Sequence, residues 1–225
     1  FEGTGFAKTF LGAVYKEKGQ TQKAKEYLRD GMAAFEKGNS AFGKSVNSAF
    51  SFQFDWLSDS LSAEQKVAAG DYPSAVAEYK KLIGRYKEKG DFRRQLMAVE
   101  RAGWLLREMG QDSDALKLLR KGAELGRQMN GDAAEIDANI GDVYLFAGDR
   151  ARALEFFEKS LAPHQGFSMP TSKAVEVPKE GQMYNWMRIA KAIIHAQVNR
   201  GTVYYFDKKP NKALQALDEA KQMVD

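Results

Sequence analysis

Residues 140–161 read IGDVYLFAGDRARALEFFEKSL. Gly141 and Gly148 stand seven apart with Tyr144 between them, Ala153 follows Gly141 by twelve residues, and Phe157 follows it by sixteen. On a helix, positions 0 and +3 share one face. A glycine at 0 lets a second helix approach closely, and a large residue at +3 fills the space beside the contact. Glycine at +7 supplies the left-handed conformation that ends a helix. Alanine at +12 is then the small contact on the second helix, with a large residue packing one turn later at +16. The spacing predicts two antiparallel helices joined by a tight turn.

The same order recurs along the chain, and a fixed order of small and large residues is the signature of a repeat architecture. Gly12 leads to Tyr15, Gly19, Ala24 and Leu28, and Gly103 leads to Leu106, Gly110, Ala115 and Leu119. Gly201 leads to Tyr204, Lys208, Ala213 and Leu217, with the second glycine lost. Ala63 leads to Lys66, Gly70, Ala75 and Tyr79, a poor first half with a good second half. In these positions the chain resembles the tetratricopeptide repeat, a thirty-four-residue pair of antiparallel helices. The resemblance implies an all-α, right-handed superhelical solenoid forming a single domain over residues 1–225. Its units are about 5–38, 56–89, 96–129, 134–167 and 194–225, with insertions at 39–55 and 168–193.

The anchors at 12, 63, 103, 141 and 201 are 51, 40, 38 and 60 apart, all above thirty-four, so helices are lengthened or segments inserted. Residues 39–56 carry five aromatics and read as a longer first helix for the second unit, with Phe42, Phe50 and Trp56 burying neighbours. Aromatics at helical spacing point to core before they point to a small-ligand site. Residues 163–181 hold three of the five prolines and read as a long loop. Residues 182–206 then have the apolar spacing of an elongated helix.

Composition narrows the function. There is no cysteine, which excludes disulfides, thiolate metal sites and cysteine nucleophiles, and leaves the compartment undecided. Only two histidines occur, His164 at a repeat end and His195 in an apolar helical stretch. Phosphate-loop, zinc-protease, serine-hydrolase and dinucleotide motifs are missing, so the reading is of a non-enzyme with no cofactor, no metal and no catalytic residue. The longest apolar run, IAKAIIHAQV, is interrupted by Lys191 and His195, so no membrane span is expected. The start, FEGTGFAK, leads us to expect a processed chain or an excised segment. A net charge of +4, from 34 basic and 30 acidic residues, argues for no polyanion partner. The basic run at 80–94 is interrupted by Glu88 and Asp91, and nucleic acid is not expected.

In tetratricopeptide arrays the first helices line a concave groove where peptides lie. Mapped by offset, the resemblance places Glu100, Arg101, Trp104, Arg107 and Glu108 of the third unit on that face. Glu135, Asn139, Asp142, Leu145 and Phe146 follow from the fourth unit, and His195, Asn199, Thr202 and Tyr205 from the fifth. The leading peptide-binding candidates are Glu100, Arg101, Trp104, Arg107, Asn139, Asp142, Asn199 and Tyr205. Trp104 between Arg101 and Arg107 has the composition of a binding hot spot. Family members that clamp the acidic tails of heat-shock chaperones use Lys, Asn and Arg at places held here by Thr9, Ala13, Leu61, Met97 and Arg101. Only Arg101 agrees, which argues against that ligand.

The expected function is a protein–protein interaction module or adaptor for a peptide or protein segment. The last helix puts Leu214, Leu217, Ala220 and Val224 on one stripe. A solenoid ordinarily covers such a stripe with a capping helix, so self-association into a homo-oligomer is the alternative. Regulation of an enzyme elsewhere on a longer chain is a third reading.

Overall fold

The computed structural model describes residues 2–38, 41–130, 133–167 and 182–222. Among these every regular element is helical, in five antiparallel pairs. They are α1 (Glu2–Glu17) with α2 (Thr21–Gly38), α3 (Ala41–Ala68) with α4 (Tyr72–Lys89), α5 (Phe92–Glu108) with α6 (Asp112–Asn130), α7 (Ala134–Phe146) with α8 (Arg150–Leu161), and α9 (Gln182–Phe206) with α10 (Pro210–Lys221). A 3₁₀ turn, Ala162–His164, follows α8. The inserted segments are, where described, the N-terminal parts of α3 and α9. The predicted loop lies outside the described residues from 168 to 181, as do the side chains of Phe42 and Phe50.

Each pair turns at the residue expected to do so. Gly19, Gly70, Gly110 and Gly148 have φ of 69°, 75°, 70° and 81°. At Gly148 the backbone N–H donates to Leu145 O (3.0 Å) and that of Asp149 to Tyr144 O (2.9 Å). This double bond pattern satisfies carbonyls that the end of a helix otherwise leaves open. The fifth turn makes the same two bonds from Lys208 and Lys209, to Tyr205 O (3.0 Å) and Tyr204 O (2.9 Å). Lys208 therefore adopts φ of 56°, a conformation glycine takes without cost and a residue with a β-carbon does not. Asp149 also caps α8, accepting from the Arg152 N–H at 3.1 Å, and Asp91 caps α5 through Arg94.

The described helices sort into two compact units. The first holds α1, α2, α3 and α4 as far as Leu82. Its core joins Ala24 and Leu28 to Leu57, with Tyr15 and Phe54 against them. Trp56 is buried and stacks on Tyr79, ring centroids 6.2 Å apart, so the aromatic segment before the second unit supplies core. The second unit holds the rest of α4 from Ile83, α5 to α8, α9 from Trp186, and α10. There Gly122 of α6 faces Val99 of α5 and Ile136 of α7, bringing three helices together around one missing side chain.

A β-carbon on Gly141 would stand 2.6 Å from the ring of Phe157, which is fully buried. Gly141→Ala should therefore destabilise the protein by roughly 1–3 kcal/mol through overpacking. Lys208→Gly should stabilise it by about 1 kcal/mol by relieving the left-handed turn. Urea unfolding of both variants against the parent checks the opposite signs.

Candidate interaction site

In the second unit the first helices α5, α7 and α9 carry all the groove candidates. Asp142 of α7 sits at their centre, its side chain 9% exposed. Arg107 Nη1 of α5 donates to its Oδ2 at 3.2 Å, and Asn199 Nδ2 of α9 donates to its Oδ1 at 2.8 Å. His195 Nε2, also on α9, lies 2.8 Å from Oδ2. A carboxylate accepts only, so this contact puts the imidazole proton on Nε2. One buried carboxylate thus binds donors from both neighbouring helices. Low dielectric strengthens each of these bonds and makes the loss of any one expensive.

A second polar cluster lies along the same helices. Lys191 of α9 forms an ion pair with Glu135 of α7. Desolvation holds the Glu100 carboxyl well above the usual glutamate range, and repulsion from Glu135 adds to it; Lys191 and Arg188 pull the other way. Glu100 is half-buried on α5, so its role is with its neighbours first.

The sequence placed Arg107, Asp142 and Asn199 on the groove face as peptide contacts; the structure joins them to one another. Asp142 is 6% exposed, which leaves little of it open to a ligand. The reason is that first helices lie against one another at these offsets. Trp104 is half-buried, with the Arg101 guanidinium 5.3 Å from its ring centroid. Asn139 is half-buried on α7, and Tyr205 is exposed near the end of α9. Thr9, at one of the clamp places, is buried, and its hydroxyl donates to Gly5 O at 3.0 Å. Two features were missed: the three-helix tie at Asp142 and the exposed Phe206. The first carries no local signal, whereas the second was legible from Phe206 standing at offset +5, like Phe146.

On α10 the predicted stripe divides. Leu214 and Leu217 are exposed, Ala220 is buried with Ala213 and Ala216, and Val224 lies outside the described residues. Ala220 therefore belongs to the packed face, and the three described residues do not form one open surface. No described group of three or more acidic or histidine side chains is placed to hold a metal. No described helix is long and apolar enough to cross a membrane.

A tetratricopeptide-repeat family model matches residues 7–37 and 135–162, which cover the first and fourth helix pairs. The heat shock protein STI1 of Saccharomyces cerevisiae is 25% identical over 165 residues, 72% of this chain and 25% of its own. The chain thus spans a quarter of the length of that curated relative. Among solved structures, BtubC (BKLC) from P. vanneervenii matches with a TM-score of 0.55 at 16% identity, over 95% of this chain and 77% of that one. That likeness speaks for the fold. The first and fourth helix pairs thus match the tetratricopeptide repeat, within an all-helical fold of antiparallel pairs. Repeats of this kind generally mediate protein–protein contact and are typically non-catalytic.

Two outcomes follow from the buried charges. Asp142→Ala strands three donors, and urea unfolding should show a loss of about 3 kcal/mol. For Glu100 the folded state retains its proton where the unfolded chain has released it. Stability therefore falls as pH rises from the ordinary glutamate value of 4.5 through the raised folded one. Glu100→Gln should remove that slope, so its advantage in melting temperature should grow as pH rises above the ordinary glutamate value of 4.5.

Proposed function

We propose that this chain is a non-catalytic adaptor that holds a peptide or protein segment along the first helices of its second unit. The observation that carries this reading is the Arg101–Trp104 pair on α5. A half-buried indole with a guanidinium over it offers large contact area at small loss of conformational freedom, and such residues dominate interface energetics. Asp142 and its partners would serve as the rigid floor beside that pair, and Asn139 as a polar contact to a bound backbone.

A second reading, self-association, draws support from α10, where Leu214 is 62% and Leu217 44% exposed. At the same offset as Leu217, Leu119 and Phe157 are fully covered.

Affinity capture on the immobilised chain, with an Arg101→Glu, Trp104→Ala double variant beside it, separates the readings. A groove partner should bind the variant at least roughly thirtyfold more weakly, the effect of losing about 2 kcal/mol at a hot spot. Equal capture by parent and variant would sink the groove reading. A concentration-dependent increase in mass, abolished by Leu214→Glu with Leu217→Glu, would establish self-association.

A further inference from the structure

At the C-terminal ends of α7 and α9 the second unit exposes three rings that its own packing leaves uncovered. Phe146 is 71% exposed, Tyr205 72% and Phe206 57%. They are not scattered. The Arg107 guanidinium at the end of α5 lies 4.4 Å from the Phe146 ring centroid. Arg150, four residues beyond Phe146, binds Asp207, the residue after Phe206, with Nε–Oδ1 at 2.9 Å. The rings of Tyr205 and Phe206 meet edge to face at 5.9 Å. The ends of α5, α7 and α9 are therefore tied side by side. Exposed aromatics framed by charged groups in this way mark interaction surfaces.

The charge of the frame selects the partner. Lys208, Lys209 and Lys212 follow the rings of α9 in sequence, Arg150 reaches across from α8 to Asp207, and Asp207 is the acid among them. Asp207 is shared between Arg150 and Lys209, the latter at 3.4 Å. The other acids at this edge are taken: Asp149 by Arg152 at 2.8 Å, and Glu108 by Arg107 at 2.6 Å. Lys212 lies 5.6 Å from the Tyr204 ring and Lys208 is exposed in its left-handed turn. The surface is thus apolar at its centre and cationic at its rim.

We propose that this edge is a docking surface for a protein segment that alternates acidic with large apolar side chains, the apolar ones seated on Phe146, Tyr205 and Phe206. A polyanion such as nucleic acid fits less well, because the centre of the patch is hydrocarbon. Phe146, Tyr205 and Phe206 stand on the same first helices as the proposed groove, so this proposal rests on that reading and deepens it. The Arg101→Glu, Trp104→Ala variant tells a failure of one from a failure of the other.

The test is fluorescence anisotropy of the full chain with a labelled twelve-residue peptide of alternating Glu with Leu or Phe. The comparator carries Gln for every Glu. Saturable binding should weaken about tenfold in the comparator and about tenfold in Lys208→Glu with Lys212→Glu, with steep salt dependence. Tyr205→Ser with Phe206→Ser, and separately Phe146→Ser, should each weaken it about tenfold. All these side chains are exposed, so unchanged melting curves exclude misfolding. The Arg101→Glu, Trp104→Ala variant should bind the peptide as the parent does. Absence of binding at peptide concentrations on the order of 100 μM would overturn the proposal. So would equal affinity for the Gln comparator, or binding that survives both sets of ring substitutions. Preferential binding of single-stranded DNA or of phosphatidylserine vesicles would also overturn it, assigning the edge to a polyanion.

Discussion

Everything in this protein rests on one contact, repeated: a first-helix position without a side chain, filled by a large residue of the second helix sixteen positions later. Gly12 faces Leu28, Gly103 faces Leu119, Gly141 faces Phe157 and Gly201 faces Leu217. A β-carbon at the first three would lie 2.8, 2.6 and 2.6 Å from that partner, too close for any substituent to be tolerated without movement. Close approach brings the full hydrophobic return of a buried Leu or Phe, and dispersion adds to it because no gap remains. The second pair solves the problem differently, with Ala63 on the first helix and Tyr79 on the second, both buried. The Tyr79 hydroxyl stays satisfied there by donating to Glu64 at 2.6 Å. The last pair is looser: a β-carbon on Gly201 would meet Leu217 at 3.3 Å, and Leu217 is itself partly open.

With each pair fixed internally, the neighbouring first helices have their remaining faces to share, and here they share them through charge. Asp142 could not be buried alone, since an isolated carboxylate would be neutralised or solvated instead. Arg107, His195 and Asn199 each satisfy part of it. Such a node is specific in a way apolar packing is not: α5, α7 and α9 must meet in one register or leave a charge unpaired. Glu100 and Glu135 show the cost of the arrangement. Two acids are brought near one another away from water, and Lys191 counters the charge of both.

The sequence carried the pair architecture because its causes are local. Offset +7 must be glycine or a strained residue, and Lys208 obeys the rule by accepting the strain. Offset +16 must be large because offset 0 is empty. The node was not legible, since its partners are separated from Asp142 by 35, 53 and 57 residues and no periodicity links them. Offsets named Arg107, Asp142 and Asn199 as facing one direction. They could not show that the same direction is occupied by the adjacent first helix. The stripe on α10 failed for a related reason. Leu214, Leu217 and Ala220 recur every three residues, which drifts around a helix, so Ala220 turns onto the packed face while Leu214 stays outside.

What the node consumes also decides where recognition can occur. A face whose polar side chains bind one another presents a rigid floor with few free donors, so its contribution to binding shifts toward shape and toward its half-buried indole. The helix ends obey the opposite logic. They lie beyond the reach of the pair contact, one or two residues from a turn whose backbone bonds are already closed. Substitutions there cost little stability, and exposed rings such as Phe146 and Tyr205 can be kept for contact with another molecule without loosening the pairs beneath them. The repeat thus separates two tasks along each first helix: its middle holds the array together, and its end is left free to differ.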